Sequence, residues 1–336
     1  MRKILLLLIV LSYMLLAKEL SGMYAKNKEV KHFINYMIRK HNFKRDYLID
    51  VFSRASKPRR YKTKKRHRYV VKGIAKGKRW WLRSVGFSRY EKIYLNEDRI
   101  RQGVKFVKRY KTLFSRIEKK LKVDRYTIAA IIGIETYYGE YIGNWETFNT
   151  LAYYSFIKKR RSKLFKYELE NLLLLSYRQK LNALYLKGSK YGALGLGQLM
   201  PHSYIKYGVS FDGNKRIEPF SKPDAIATVA NFLHKKGWQF NKDVAIRAKF
   251  QGRYFKKIKS QTRYKVSKYT LKKWGLIPKD KVKIPYFKLV KLKRAEFDEV
   301  WLTFKNFDVL KRYNNSNYYA MAVYQLSQEI KKRVTK

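Results

Sequence analysis

The chain has 336 residues, with 79 lysines and arginines against 24 aspartates and glutamates, a formal net charge of +55, and no cysteine. The lack of cysteine excludes a disulfide framework, thiolate zinc sites, cysteine nucleophiles and a lipidated cysteine, so we expect no lipoprotein anchor. The charge predicts attraction to polyanions such as acidic glycans, although an AT-rich codon bias is an alternative source of the lysines. Because the basic residues run throughout the chain instead of forming one stripe, no specific nucleic-acid partner is expected.

The first segment combines a basic start with an apolar run, Ile4 to Ala17, that is short for a bilayer span. This pattern is typical of a secretory signal peptide, with cleavage after Ala17 or near Gly22. We therefore predict that residues 1–22 are a signal peptide and that the protein is periplasmic or secreted, soluble after cleavage. An uncleaved anchor is the alternative, and only this would attach the protein to a membrane.

The next two segments differ in pattern. Residues 23–56 have apolar residues at helical spacing, which predicts a helical hairpin with its turn at residues 42–46. Residues 57–88 are a dense basic block with glycines, which we predict to be a solvated linker; a polyanion-binding arm is the alternative. Ordered helix is predicted to resume near Asp98.

The remaining pattern predicts an α+β protein that is mostly helical. Asp124 is a good N-cap for a helix over residues 125–138, and Gly139 stands where a C-cap glycine belongs. A last helix is expected to start at Ser316, and a few short strands are expected within residues 286–312. Further helices are predicted at residues 165–181 and 224–238.

One carboxylate interrupts an aliphatic run, in the segment IIGIETYYG from Ile131 to Gly139. Helical spacing places Glu135 on the same face as Ile128, Ile131 and Ile132, so this face is buried or lines a cleft. Apolar surroundings disfavour the charged form, and a carboxyl with a raised pKa can protonate a leaving oxygen. A structural glutamate bonded to a buried arginine or a helix end is the alternative, and this segment alone leaves both open.

A second segment, from Gly188 to Gly208, contains five glycines, four of them before a helix that starts at a proline, with Ser189 and Gln198 among them. Glycines let the backbone approach a ligand closely, and a side-chain amide can bond to sugar hydroxyls. The segment has no Gly-Lys-Ser/Thr sequence, so it is not a phosphate loop. Tight helix packing is the alternative.

Five segments in order resemble the successive motifs of the lytic transglycosylase B family, whose members cut the glycan strands of bacterial peptidoglycan. The similarity spans roughly residues 27 to 330 and is weakest at 57–88 and 242–305. It implies a lysozyme-like core within residues 89–336, with an additional helical N-terminal region and a small β-containing C-terminal part. The implied catalytic core covers about residues 98–240, a cleft segment covers 286–332, and no cofactor is implied. The segments are IIGIETYYG, RRSKLFKYELENLL, GSKYGALGLGQLMPHSYIKYGVSFDG, DAIATVANFLHKKGW and RYNNSNYYAMAVYQL.

The resemblance implies that Glu135 performs both proton transfers. It would protonate the β-1,4 oxygen between N-acetylmuramic acid and N-acetylglucosamine and then accept the proton of the muramoyl C6 hydroxyl, which leaves a 1,6-anhydro end. No second carboxylate is needed, and Glu140, beyond the helix-ending glycine, is a poor candidate for one. Two alternatives are a hydrolytic muramidase and a non-catalytic module of the same fold that binds peptidoglycan or other anionic envelope polymers.

The resemblance also carries substrate-contacting positions onto this chain. Aromatic rings suit the apolar faces of sugars, and arginine suits a lactyl or peptide carboxylate. The family has a tyrosine where this chain has Phe232, which keeps the stacking surface and loses one hydroxyl. The matched positions are Tyr90, Arg160, Arg161, Ser189, Gln198, Phe232, Tyr313, Asn314 and Tyr319.

A larger departure lies in the segment VSFDGNKRIEPFSKPD, where the family has an EF-hand-like calcium loop. Calcium needs several oxygen ligands and net negative charge, whereas two cations are inserted here, so we expect no metal. Lys215 or Arg216 is expected to lie across Asp212 and Asp224 instead. The matched loop positions are Ser210, Asp212, Asn214, Arg216 and Asp224.

Overall fold

The computed structural model describes most of the chain, in six stretches. The predicted signal peptide and the basic block lie almost wholly outside these residues, and Arg160 lies outside them too. Within them, no helix is long and apolar enough to cross a membrane. The described residues are 18–59, 86–158, 161–251, 258–279, 286–294 and 297–336, without the side chains of 261–265.

The described residues form two compact units, those within 1–62 and 142–206 and those within 63–141 and 207–336. The described helices are α1 Lys28–His41, α2 Arg45–Ser53, α3 Gly86–Tyr94, α4 Glu97–Arg109, α5 Lys111–Leu121, α6 Arg125–Thr136, α7 Thr147–Phe156, α8 Ser162–Arg178, α9 Pro201–Tyr207, α10 Lys222–Lys235, α11 Lys268–Lys273, α12 Lys305–Tyr313 and α13 Asn317–Val334. The strands are β1 Trp145–Glu146, β2 Lys187–Gly188, β3 Ala245–Phe250, β4 Gln261–Ser267, β5 Leu276–Pro278, β6 Tyr286–Leu292 and β7 Glu299–Thr303.

The first unit begins with the predicted pair of helices, α1 and α2. Asn42 separates them in a left-handed conformation, while Arg45 and Asp46, predicted as turn, belong to α2. Edge-to-face contacts join Phe52 to Phe148 of α7, with ring centroids 5.2 Å apart. Aromatic pairs of this kind stabilise a core beyond their buried area, so the helical pair is anchored within its unit.

The second unit surrounds α6, whose residues are buried on nearly every side. Asp124 caps this helix as predicted, because its carboxylate accepts a 2.8 Å hydrogen bond from the amide of Thr127. Helices α4, α5, α10 and α13 all contact α6. A helix that is apolar all round must be buried in this way, so α6 is the central element of the unit.

A five-stranded antiparallel sheet in the order β4-β6-β7-β3-β5 belongs to the same unit. Strands β6 and β7 confirm the short strands expected within residues 286–312, but residues 305–313 form helix α12. Strands β3, β4 and β5 were not predicted. Alternate residues of β3 and β7, including Ile246, Ala248, Val300 and Leu302, enter one apolar core. These residues become buried only when strands from distant parts of the chain pair. The short, basic-rich segments that form the strands do not show this alternation clearly in the sequence.

Helix α3 corrects the prediction that ordered helix resumes near Asp98, since it begins at Gly86, inside the segment predicted as linker. The side chain of Phe87 is fully buried, and its amide donates a 2.7 Å hydrogen bond to the carbonyl of Lys293. Gly86 has a φ of +57°, and a Cβ there would lie 2.2 Å from the same carbonyl oxygen. A contact more than two hundred residues away therefore starts this helix.

Candidate active site

Glu135 lies in the last turn of α6 and is partly buried against the apolar interior of its unit. Burial raises the pKa of its carboxyl to about 7, and the hydroxyl of Tyr319 opposes the rise by donating a 2.7 Å hydrogen bond to Oε1. Desolvation disfavours the carboxylate, whereas a donor to the charged form favours it. The outcome is a carboxyl that exchanges its proton near neutral pH, which is the property required of a general acid and base.

Tyr319 is held by the start of α13. Its amide donates to the hydroxyl of Ser316, which is the N-cap of that helix, at 3.3 Å. The tyrosine side chain is buried, and burial together with the Glu135 charge raises the pKa of its hydroxyl well above the ordinary value. Tyr319 therefore stays protonated and acts as a hydrogen-bond donor to Glu135 at every physiological pH.

A row of aromatic rings continues from Tyr319. The ring of Tyr313 lies parallel to it, with centroids 6.4 Å apart and planes within 5°. Phe232 meets Tyr313 edge to face at 4.9 Å, and Tyr207 meets Phe232 at 4.9 Å. Three of the predicted substrate-contacting residues, Tyr319, Tyr313 and Phe232, thus lie in one row that begins at Glu135. Phe232, which stands where the family has a tyrosine, makes aromatic contacts on both sides.

The end of α6 differs from the prediction. The helix stops at Thr136, and Tyr137 and Tyr138 both have left-handed backbones, with φ of 52° and 62°, before Gly139 at 97°. Left-handed conformations are unfavourable for residues with a Cβ and persist where surrounding contacts fix them. The ring of Tyr138 packs on Gly133 so closely that a Cβ there would lie 2.6 Å from it. Packing therefore ends the helix two residues earlier than the glycine signal predicts.

Arg99 supplies the second contact at this helix end, although the sequence did not single it out. Its guanidinium is buried between the rings of Tyr94 and Tyr137, 5.3 and 5.0 Å from their centroids, and it donates to the carbonyl of Gly133. The hydroxyl of Tyr138 in turn donates to the carbonyl of Arg99 at 2.9 Å. Burial lowers the pKa of Arg99. A cation placed against the carbonyls at a helix C-terminus is favourable, so Arg99 fixes the segment that carries Glu135.

The other predicted residues of this unit lie at different depths. Tyr90 is partly exposed on α3, where its ring contacts Tyr94 and Tyr318 at 5.5 and 5.6 Å. Burial raises the pKa of the Tyr94 hydroxyl, and the Glu135 charge contributes to the rise. Asn314 ends α12 in an extended conformation and is exposed. A tyrosine on an amphipathic helix is a weak sequence signal, and so Tyr94 was missed.

Three predicted residues belong to the first unit. The hydroxyl of Ser189 accepts hydrogen bonds from the amides of Tyr191 and Ala193, at 3.3 and 3.1 Å. Gln198 has a left-handed backbone, and its Nε2 donates to the carbonyls of Ile142 and Gly195, both at 2.9 Å. Both amide hydrogens of Gln198 are thus used inside the unit, so its carbonyl oxygen is the atom through which this amide can bond to a sugar hydroxyl. Arg161 is exposed at the start of α8.

The calcium-like loop closes differently from the expectation. Both carboxylate oxygens of buried Asp224 accept backbone amides, from Phe211 at 2.7 Å and from Glu218 at 2.9 Å. Arg216 is paired with Glu218, its Nε 3.9 Å from Oε1, instead of lying across Asp212 and Asp224. A calcium site needs carboxylate oxygens directed at one point, whereas here they are bonded to the loop itself. This donor set does not fit calcium, and the described residues contain no group of three or more potential histidine, cysteine or acidic metal ligands.

Comparison with known proteins gives one consistent result. A family model described as a transglycosylase SLT domain matches residues 25–328. The membrane-bound lytic murein transglycosylase B of Escherichia coli (strain K12) is 33% identical over 320 residues, which cover 93% of this chain and 85% of that protein. The Escherichia coli lytic transglycosylase Slt35 in complex with bulgecin A superimposes with a TM-score of 0.80 at 32% identity, covering 95% of this chain and 97% of that one. The complex of Slt35 with calcium gives 0.81 at 31% identity, with 95% and 97% covered.

The chain therefore belongs to the transglycosylase SLT domain family. It is an enzyme of the lytic transglycosylase class, and the expected lysozyme-like, mostly helical α+β fold is confirmed. The resemblance drawn from the five sequence segments is confirmed as well.

Proposed function

We propose that this lytic transglycosylase cleaves the β-1,4 bond between N-acetylmuramic acid and N-acetylglucosamine in peptidoglycan, with Glu135 as its single general acid and base. The observation that carries the assignment is the carboxyl of Glu135, whose pKa is raised to about 7 and whose Oε1 accepts a hydrogen bond from Tyr319. Ordinary glycosidases use two carboxylates. Among the described residues, burial and Tyr319 account for the pKa of Glu135, without a contribution from a second carboxylate.

The first step is proton donation. Because Tyr319 donates to Oε1, the acid proton of Glu135 belongs on Oε2, and from there it passes to the glycosidic oxygen. The bond from that oxygen to C1 breaks and positive charge develops on the sugar ring. The ring of Tyr313 is partly exposed and lies parallel to buried Tyr319, and it offers a face on which the sugar stacks while this happens.

The second step returns the enzyme to its starting state. The carboxylate of Glu135 accepts the proton of the muramoyl C6 hydroxyl as that oxygen forms a bond to C1. No water is consumed, so the products are a 1,6-anhydromuramoyl end and a free 4-hydroxyl on the leaving sugar. A carboxyl whose pKa is near 7 is suited to both steps, since it is present in both protonation states at neutral pH.

We also propose which residues contact the glycan strand and which chemical group each of them offers. In the unit of Glu135, Tyr90 and Tyr313 offer partly exposed aromatic faces and Asn314 offers an exposed amide. Phe232 is buried and contributes through its edge-to-face contact with Tyr313. In the first unit, Ser189 accepts two backbone amides through its oxygen, so its hydroxyl hydrogen is the group offered to substrate. Gln198 offers its carbonyl oxygen, since Nε2 is bonded internally. The remaining proposed contacts are Arg160 and Arg161.

The direct test combines a variant with product analysis. Glu135→Gln should abolish cleavage of purified sacculi while leaving sacculus binding intact, because the amide cannot exchange a proton. Glu140→Gln, which removes an exposed carboxylate five residues away, is the matched control and should retain activity. Mass spectrometry of the wild-type digest should show anhydromuropeptides, lighter by one water than hydrolytic products. Reducing muramoyl ends would identify a hydrolase, and an inactive wild type would favour a binding module.

Export and envelope attachment complete the proposal. The apolar run at the start of the chain supports a signal peptide and a periplasmic or secreted location, and the basic block supports retention on anionic envelope polymers. Replacing the lysines and arginines of residues 57–79 by glutamine should weaken binding to acidic polymers at low salt and make the salt dependence shallower. Turnover of small glycan fragments should hardly change. A large loss on those fragments would assign the block to substrate binding.

A further inference from the structure

The aromatic row that begins beside Glu135 ends at a lysine. Lys236 is the C-cap of α10, and its Nζ lies 5.2 Å from the ring centroid of Tyr207 and 5.5 Å from that of Phe232. The residue is partly buried, and both rings are buried. An ammonium on aromatic faces is attracted by their electron density and has lost part of its hydration. It therefore interacts with an anion more strongly than a fully hydrated lysine does.

A second cation lies at the same end of the row. Arg312 donates from Nη1 to the carbonyl of Lys236 at 3.4 Å, and it directly precedes Tyr313 in α12. The ring of Tyr313 contacts Phe232, one of the two rings beneath the lysine. The two positive side chains thus belong to one corner of the row, brought together by α10 and α12.

Neither cation has a carboxylate partner within the described residues. The ion pairs there join other lysines and arginines to acids, as in the pairs of Lys288 with Asp308 and of Arg247 with Glu299. Many basic residues of this chain lack acidic partners, because the chain carries 79 lysines and arginines against 24 acids. What distinguishes Lys236 is its position: a partly desolvated ammonium on the two rings that continue the row from the candidate catalytic carboxyl.

We infer that Lys236, assisted by Arg312, binds a carboxylate of the glycan strand whose sugars stack on the partly exposed ring of Tyr313. The inference rests on the proposed function and adds to it a further carboxylate contact, of the kind that distinguishes peptidoglycan from neutral glycans. N-acetylmuramic acid carries a lactyl group, and this group ends either in its own carboxylate or in a peptide with carboxylates. Phe232 is buried and has no hydroxyl, so the ammonium that lies over its ring supplies the polar recognition at this end of the row.

A purely structural role for Lys236 is the rival explanation, since a cation near a helix C-terminus is favourable in itself. Lys236→Met keeps the hydrocarbon stem on the rings and removes the charge. Lys235→Met is the matched control, because it makes the same change of charge in the last turn of α10 at an exposed position. Lys236→Arg should restore function. Thermal unfolding of all three variants shows whether the fold is retained.

The experiment compares substrates with and without carboxylates. On glycan strands with intact peptides, Lys236→Met should raise KM about 5- to 10-fold with little change in kcat, because the contact is made in ground state and transition state alike. Lys235→Met should leave KM within about twofold of wild type. Chitin oligosaccharides, which have no carboxylate, should bind to Lys236→Met and wild type equally.

Strands from which an amidase has removed the peptides identify the source of the carboxylate. If the effect of Lys236→Met persists on them, the site also accepts the lactyl carboxylate that the amidase exposes, and if the effect disappears the ligand is a carboxylate of the peptide. The inference is overturned if Lys236→Met behaves like Lys235→Met, or if it weakens binding of neutral chitin oligosaccharides to the same extent. A wild-type protein that cleaves no strand would refute the proposed function instead, so the two failures are distinguishable.

Discussion

Tyr319 donates a 2.7 Å hydrogen bond to Glu135 across a sequence separation of 184 residues. Both residues sit at the end of a helix, Glu135 in the last turn of α6 and Tyr319 in the first turn of α13. The hydrogen bond and burial act in opposite directions on the carboxyl, and their balance leaves its pKa at about 7. Because Glu135 is the candidate catalytic carboxyl, we expect the pH dependence of activity to change when this hydrogen bond is removed.

Tyr319→Phe should shift the pH profile upward. The hydroxyl stabilises the carboxylate of Glu135 and so lowers its pKa; without it, the pKa of Glu135 rises further above its ordinary value. Glycosidic cleavage needs the protonated form, which is present below the pKa and lost above it. The alkaline limb of kcat/KM against pH should therefore move to higher pH, while the maximal rate falls because the carboxyl loses its orientation. An unchanged alkaline limb would show that Glu135 does not control it.

Glu135→Gln should also alter stability in a pH-dependent manner. The pKa of Glu135 is raised to about 7 from an ordinary value of 4.5, so between these values the folded state binds more protons than the unfolded state. Stability must then fall as pH rises through this window. Glutamine has no such dependence, so Glu135→Gln should match wild type at pH 4 and exceed it at pH 8 by up to about 3 kcal/mol.

Chemical denaturation at the two pH values measures this difference, with the exposed Glu140→Gln as the control. If Glu135→Gln is no more stable than wild type at pH 8, burial does not destabilise the carboxylate of Glu135 and its pKa is not raised.

Arg99→Met should destabilise the protein by about 1–3 kcal/mol, because the Gly133 carbonyl loses a buried donor and two rings lose a cation. Residual activity should show a lower kcat with a nearly constant KM, since Arg99 touches the helix end and not the sugar. Arg101→Met removes an exposed arginine paired with Asp98 and should change stability by less than about 1 kcal/mol. Equal effects of the two variants would contradict a special role for Arg99.

Calcium should not change the thermal midpoint. Only a ligand that binds the native state raises that midpoint, and the oxygens of Asp224 are bonded to the amides of Phe211 and Glu218. Scans with EDTA and with millimolar calcium should therefore coincide, and an upward shift with calcium would disprove the assignment. Asp224→Asn should cost about 1–3 kcal/mol, because the new amide places an N–H group against a backbone donor. Asp212→Asn, at an exposed position, is the control.

The triple variant Ser210→Asp, Lys215→Gly, Arg216→Asp tests the same loop in the other direction. It restores acidic side chains and removes both cations, which is the composition that calcium requires. Calcium-dependent stability should then appear where wild type has none. Its absence would show that the backbone of the loop, and not its composition alone, excludes the ion.

Much of the site could be predicted from local sequence. Helical spacing placed Glu135 on an apolar face, and Asp124 marked the start of its helix, because both depend on residues within two turns. The five segments in order identified the family and the fold. Local patterns failed at α3, which depends on the Phe87 contact with Lys293, and at Gly139, where the glycine signal was overridden by packing.

Only the tertiary structure decided the chemistry of the carboxyl. The sequence by itself determined that an acid interrupts an apolar helix, and it left open whether that acid is structural or catalytic. Tyr319 contacts Glu135 from α13, 184 residues further along the chain, and Arg99 fixes the helix end from α4. A pKa depends on the groups that surround a carboxyl in space, and neither desolvation nor a distant hydrogen-bond donor is encoded in the spacing of neighbouring residues.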